Sequence, residues 1–161
     1  MVEPPLKTGY IVKKRILILA LFAVAMAYVE AIVVVYLRWL IPLPEWSGIS
    51  TYQDLYRFIE NAGIMWSEQT REFATIVMLV CIAYLFGKNI RERAAGFLIA
   101  FGIWDIFYYI FLYLWLRWPQ SLLEWDILFL IPCPWVAPVI LPVCISLIMI
   151  TSGLFIIKRQ P

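Results

Sequence analysis

Apolar residues fall along the chain in four long runs separated by short polar stretches. The first, 16–41, is broken only by Glu30 and Arg38, the second covers 68–87, and the third, 94–116, carries one carboxylate at its midpoint, Asp105. About 20 apolar residues suffice to cross a hydrocarbon layer about 30 Å thick, so each run predicts a membrane-spanning helix. The fourth, 127–157, is apolar for 31 residues but holds Pro132, Pro134, Pro138 and Pro142. Proline removes a backbone donor and disfavours helix before it. The run therefore predicts a proline-broken or re-entrant segment over 127–135 and a last helix over 136–157.

The connections carry their own signals. Thr51 followed by Asp54, with Tyr52, Leu55, Tyr56 and Ile59 at helical spacing, predicts a short amphipathic helix over 52–60 at the membrane interface. The basic residues before the first run, with Ala23-Val24-Ala25-Met26-Ala27 inside it, imitate a secretory signal. The apolar run continues for about ten residues beyond them, too long for a signal core, and predicts a retained span. The fold class expected is an all-α polytopic membrane protein, a single domain of four transmembrane helices over residues 1–161.

Composition agrees with lipid as solvent. The chain is 64% hydrophobic and 15% charged, with a mean hydropathy of +0.87. A soluble core of 161 residues does not hide that much apolar surface. Four crossings put both ends on one side with Lys7, Lys13, Lys14, Arg15, Lys88, Arg91, Arg93, Lys158 and Arg159. Arg38, Arg57, Arg71 and Arg117 fall on or near the other. The positive-inside rule then predicts cytoplasmic termini in a bacterial inner (plasma) membrane. Seven of the eight tryptophans, all but Trp104, lie towards the outer side.

A net charge of +2 gives no reason to expect nucleic acid as a partner. The absence of histidine removes histidine-ligated haem and HExxH zinc chemistry. Di-iron bundles also use a Glu-x-x-His pair, so neither a metal nor another cofactor is expected. Cys81, Cys133 and Cys144 show no CxxC spacing and read as small hydrophobes.

The remaining chemistry is acidic. Glu30 and Asp105 lie at similar depth near the midplane, where a charged Asp costs about 2.5–3.5 kcal/mol on insertion scales. Glu68, Arg71 and Glu72 share one face of the second helix in its outer turn. Asp126, with Glu124, enters just before the proline-broken segment. Tyr108 and Tyr109 follow Asp105 by one turn and can donate to a carboxylate. Ala20, Ala23, Ala27 and Ala31 on the first helix, and Gly96 and Ala100 on the third, permit close packing of these two helices with Glu30 and Asp105 between them.

Most of residues 25–145 resembles a family of small bacterial integral membrane proteins with no assigned activity. The resemblance is carried by Trp104-Asp105, Trp118-Pro119, Trp125-Asp126, Pro132, Pro134 and Trp135, together with YVEA in the first helix and REFATIVML in the second. It implies membrane topology and no reaction.

Three functions compete. Carboxylates at depth can relay a proton or a cation, and four helices enclose so little volume that a homo-oligomer or a membrane partner protein is then required. Paired acids among aromatic rings also suit an enzyme acting on an isoprenoid or lipid. The third reading is a non-catalytic assembly or anchoring subunit that binds its partner through the outer surface.

Overall fold

A computed structural model describes residues 5–40 and 65–159, with side chains over 12–39 and 65–159. The expected amphipathic helix over 52–60 lies outside the described residues. Among the described residues there are four α-helices, each long and apolar enough to cross a membrane, which make the chain mostly helical: α1 (Pro5–Leu40), α2 (Met65–Phe86), α3 (Ile90–Leu116) and α4 (Ile140–Lys158). In lipid, where no water satisfies backbone groups, helices close their own hydrogen bonds, which is why these runs take this form.

Each boundary has a chemical cause. At the start of α3 the Asn89 side chain accepts from Glu92 N–H at 2.9 Å. The Glu92 carboxylate reaches back to Lys88 N–H at 3.0 Å and pairs with Arg15 of α1 at 3.4 Å. One glutamate thus completes a capping box and ties α1 to the α2–α3 turn. Arg117 ends α3 in the left-handed region, φ 55°, donating its backbone N–H to Tyr113 O. In α4, Pro142 is the third residue, within the first turn where no backbone donor is needed.

The largest departure from the sequence reading falls between α3 and α4. Within the segment read as proline-broken or re-entrant, the chain forms an antiparallel hairpin, β1 (Trp125–Phe129) and β2 (Trp135–Pro138), set in an otherwise mostly helical fold. The last helix begins at Ile140 rather than 136. Physically, WDILF is rich in β-branched and aromatic residues, and Pro132 and Pro134 fall in the connecting loop, where a missing N–H costs no ladder bond. An irregularity between Ile127 and Phe129 breaks the pairing register. In a regular strand Asp126 and Phe129 would point to opposite faces. The bulge turns both towards α3, Asp126 onto Tyr109 and Phe129 onto Phe101 and Trp104.

α3 is the hub, meeting each of the other three helices. Arg15–Glu92 sets α1 parallel to α3. Gly153 lies against Ala95 and Ile99, and Gly102 against Ser146 and Ile150, so α4 runs antiparallel to α3. Ala23, Ala27 and Ala31 are fully buried where α1 approaches α3. Gly96, expected on the same seam, instead faces the Phe86 ring of α2. The hairpin enters at the end of the bundle formed by the C-terminus of α3 and the N-terminus of α2, with Asp126 at Tyr109, and its Phe129 reaches Phe101 and Trp104 near the middle of α3. Lys13, Lys14, Lys88, Arg91, Lys158 and Arg159 are exposed at the other end.

Gly102 tests the closest approach. A Cβ there would stand 2.6 Å from the Ser146 carbonyl oxygen, backbone that cannot swing aside. Gly102→Ala is expected to lower stability by about 1–3 kcal/mol in reversible unfolding from mixed micelles. Gly96→Ala, which meets the Phe86 side chain, should cost less; equal losses would show that α3 and α4 do not touch at this point.

Candidate functional site

The polar interior lies in the half of the bundle nearest the hairpin and divides into three arms. The first joins α1 to α2. Glu30, buried on α1, forms an ion pair with Arg71 and accepts from the Thr75 hydroxyl. Arg71 also grips Glu68, with Nε at 3.0 Å and Nη2 at 2.8 Å from Oε2. One guanidinium is shared by two carboxylates, which fixes the height of α1 against α2. Thr75, one turn beyond Arg71, supplies the third bond to this cluster.

The second arm fastens the hairpin to α2. Glu72 accepts from Leu130 N–H at 2.8 Å, and the Gln69 amide donates to Leu130 O at 3.3 Å. Leu130 lies just beyond the ladder, so its peptide groups would otherwise be orphaned beside apolar helices. Glu72 thus turns its hydrogen bond to the hairpin while staying within electrostatic range of Arg71 and Glu68.

The third arm runs through α3. Tyr109 donates its phenol hydrogen to Asp126 of the hairpin at 2.9 Å. Burial pushes the Asp126 carboxyl up to about 6, against the opposing influence of the Tyr109 hydrogen bond and the Arg38 charge. Arg38 also stacks its guanidinium 4.3 Å over the Trp118 ring. Tyr108 lies within electrostatic range of Arg38, Arg71, Asp105 and Asp126, so it stands where the first and third arms converge. One turn before Tyr109, Asp105 is 8% exposed and accepts from the Ser146 hydroxyl of α4 at 2.7 Å.

Glu30 and Asp105, placed at similar depth by the sequence, have separate holders, Arg71 and Thr75 for one and Ser146 for the other. The tyrosine expected to hold Asp105 holds Asp126 instead. Three partners, Thr75, Ser146 and Arg38, escaped the sequence reading. Thr75 was visible as the residue four after Arg71, and Arg38 as the second charge in the first run. Ser146 had no comparable signal, since a single hydroxyl in a membrane helix is common.

Among the described residues, no three Cys, Asp or Glu side chains converge as a bound metal requires. Among the described residues, Arg38 and Arg71 are the cations that reach into this polar interior, Arg71 paired with Glu30 and Glu68 and Arg38 within range of Asp126 and Glu124. Asp105 has no ion pair among the described residues. The Trp104 indole N–H, beside Tyr108 and Phe129, is buried without a hydrogen-bond partner among them. Towards the basic end, the interior around Leu19, Ala23, Leu79, Phe86 and Ile99 is apolar.

Arg71→Met leaves Glu30 buried without its cation, and a broken buried pair costs about 3–5 kcal/mol. The Glu30→Gln/Arg71→Met double variant is expected to lose less than the two single variants added together. A double-mutant cycle on unfolding in micelles reads this coupling directly; additive losses would remove Arg71 as the partner of Glu30.

No family model, no curated protein and no solved structure matches this chain.

Proposed function

We propose that this chain is a small multi-pass subunit of a bacterial inner membrane that takes up and releases a proton at Asp105. In this reading the proton arrives from the hairpin end, past Asp126, Tyr109 and Tyr108. The observation that supports it most is the contrast between the carboxylates. Glu30 and Glu68 share Arg71, whereas Asp105, at mid-span, has the neutral Ser146 hydroxyl and no ion pair among the described residues. An uncompensated charge at that depth costs about 2.5–3.5 kcal/mol on insertion scales, a cost that a proton removes.

Sidedness follows from the basic residues: the end carrying Lys13, Lys14, Arg91, Lys158 and Arg159 faces the cytoplasm and the hairpin faces outward. Among the described residues, the interior beyond Asp105, around Leu19, Ala23, Leu79 and Ile99, is apolar up to the Arg15–Glu92 pair. Uptake without onward conduction fits a subunit of a homo-oligomer, or one working with a membrane partner that supplies the rest of the path.

The test is infrared difference spectroscopy of the protein in lipid during a pH step. A protonated-carboxyl band that vanishes in Asp105→Asn and survives Glu92→Gln is the expected result. A band indifferent to Asp105→Asn overturns the reading, and turnover of added lipid by the purified protein would favour an enzyme instead.

Asp126 generates a second expectation. Its folded-state value, about 6, stands above the ordinary 3.8, so between these values the folded state holds more proton than the unfolded. Stability from this group is therefore fully present below about pH 4 and is lost as pH rises towards 6. Asp126→Asn should flatten the fall in unfolding midpoint across that window; an unchanged profile would assign the dependence to another group.

A further inference from the structure

On the lipid-facing side of α3 and α4, close to the hairpin end, lies an apolar groove of about 330 Å³. Its walls include Ile106, Ile110 and Tyr113 of α3 and Val143 of α4, and its roof is Pro119 and Leu122 of the turn that follows α3. Ile110, Tyr113 and Leu122 are each 41–49% exposed, so the groove opens sideways, where a bilayer would place acyl chains. The volume is at the small end for ligand sites and suits one chain rather than a whole lipid.

A chain that leaves the bilayer for an apolar groove gains no hydrophobic energy, because lipid tails are as apolar as the walls. Selectivity must come from the polar end. There, Arg117 is exposed and turned out of the helix by its left-handed backbone, with its guanidinium 5.9 Å from the Tyr113 ring that lines the groove. The nearest carboxylate along the turn, Glu124, is engaged by Gln120 N–H at 3.0 Å. A planar cation above an apolar slot matches a phosphate headgroup above its chain.

We propose that this groove holds one acyl chain of an anionic phospholipid, with Arg117 binding the headgroup. Tyr109, which holds Asp126, also lines the groove, but the lipid contacts argued here use Arg117 and the apolar walls and do not depend on proton uptake at Asp105. An arginine at an anionic surface contributes about 1 kcal/mol, equivalent to a preference of about fivefold.

Native mass spectrometry of the full chain, from micelles holding equal phosphatidylglycerol and phosphatidylcholine, tests it. The basic end also attracts anionic lipid, so the quantity read is the difference between variants. Arg117→Gln is expected to remove one phosphatidylglycerol from the bound set, whereas Arg91→Gln, at the basic end, keeps the lipid at this site. Val143→Trp fills the groove and should lose the same lipid, while Ile145→Trp, on the exposed face of α4, should keep it. If Val143→Trp fails to fold by circular dichroism, Ile110→Trp on the open wall takes its place. Identical lipid binding in wild type, Arg117→Gln and the groove-filled variant overturns the proposal, as does phosphatidylcholine held equally well in the wild type.

Discussion

The ion pair between Glu30 and Arg71 governs how the hairpin half of this protein is built. A glutamate at that depth on α1 requires a cation, and Arg71 provides it while holding Glu68. That bond fixes α2 against α1, which otherwise touch little. With α2 placed, Glu72 and Gln69 meet the Leu130 peptide and anchor the hairpin. The hairpin in turn delivers Asp126 to Tyr109. A chain of polar contacts thus runs from α1 through α2 and the hairpin to α3, each satisfying a group that hydrocarbon would otherwise leave costly.

The other half is organised differently. Small residues let α3 approach α1 at Ala23, Ala27 and Ala31, and α4 at Gly102 and Gly153. Dispersion between closely packed backbones substitutes for the hydrophobic effect, which is absent between helices in lipid. A polar tie, Arg15–Glu92, lies at the basic end beside the α2–α3 turn. Asp105 is placed at the junction of the two regimes, where the polar arms end and the apolar interior begins.

The four spans were legible because twenty apolar residues have few other uses, and the end of α3 was marked by Arg117-Trp118-Pro119. The alanine seam was legible from its spacing. Partners were harder to read: depth along a helix follows from counting residues, but azimuth depends on how the neighbours turn. Hence Glu30 and Asp105, alike in depth, face Arg71 and Ser146 rather than each other. The hairpin was obscured by prolines that mimic a broken helix, and its bulge reverses the face that strand alternation would assign to Phe129 relative to Asp126.

Asp105 is a carboxyl at mid-span that bonds the Ser146 hydroxyl and, among the described residues, no cation. A high-resolution map of the protein in a lipid nanodisc tests this most directly through the density around Asp105. The expected map shows the carboxyl bonded to Ser146, any ordered water reaching it from the hairpin end, and side chains alone between it and Ile99. A lysine, arginine or metal ion seated on Asp105, or a continuous file of water running to the basic end, would contradict the account.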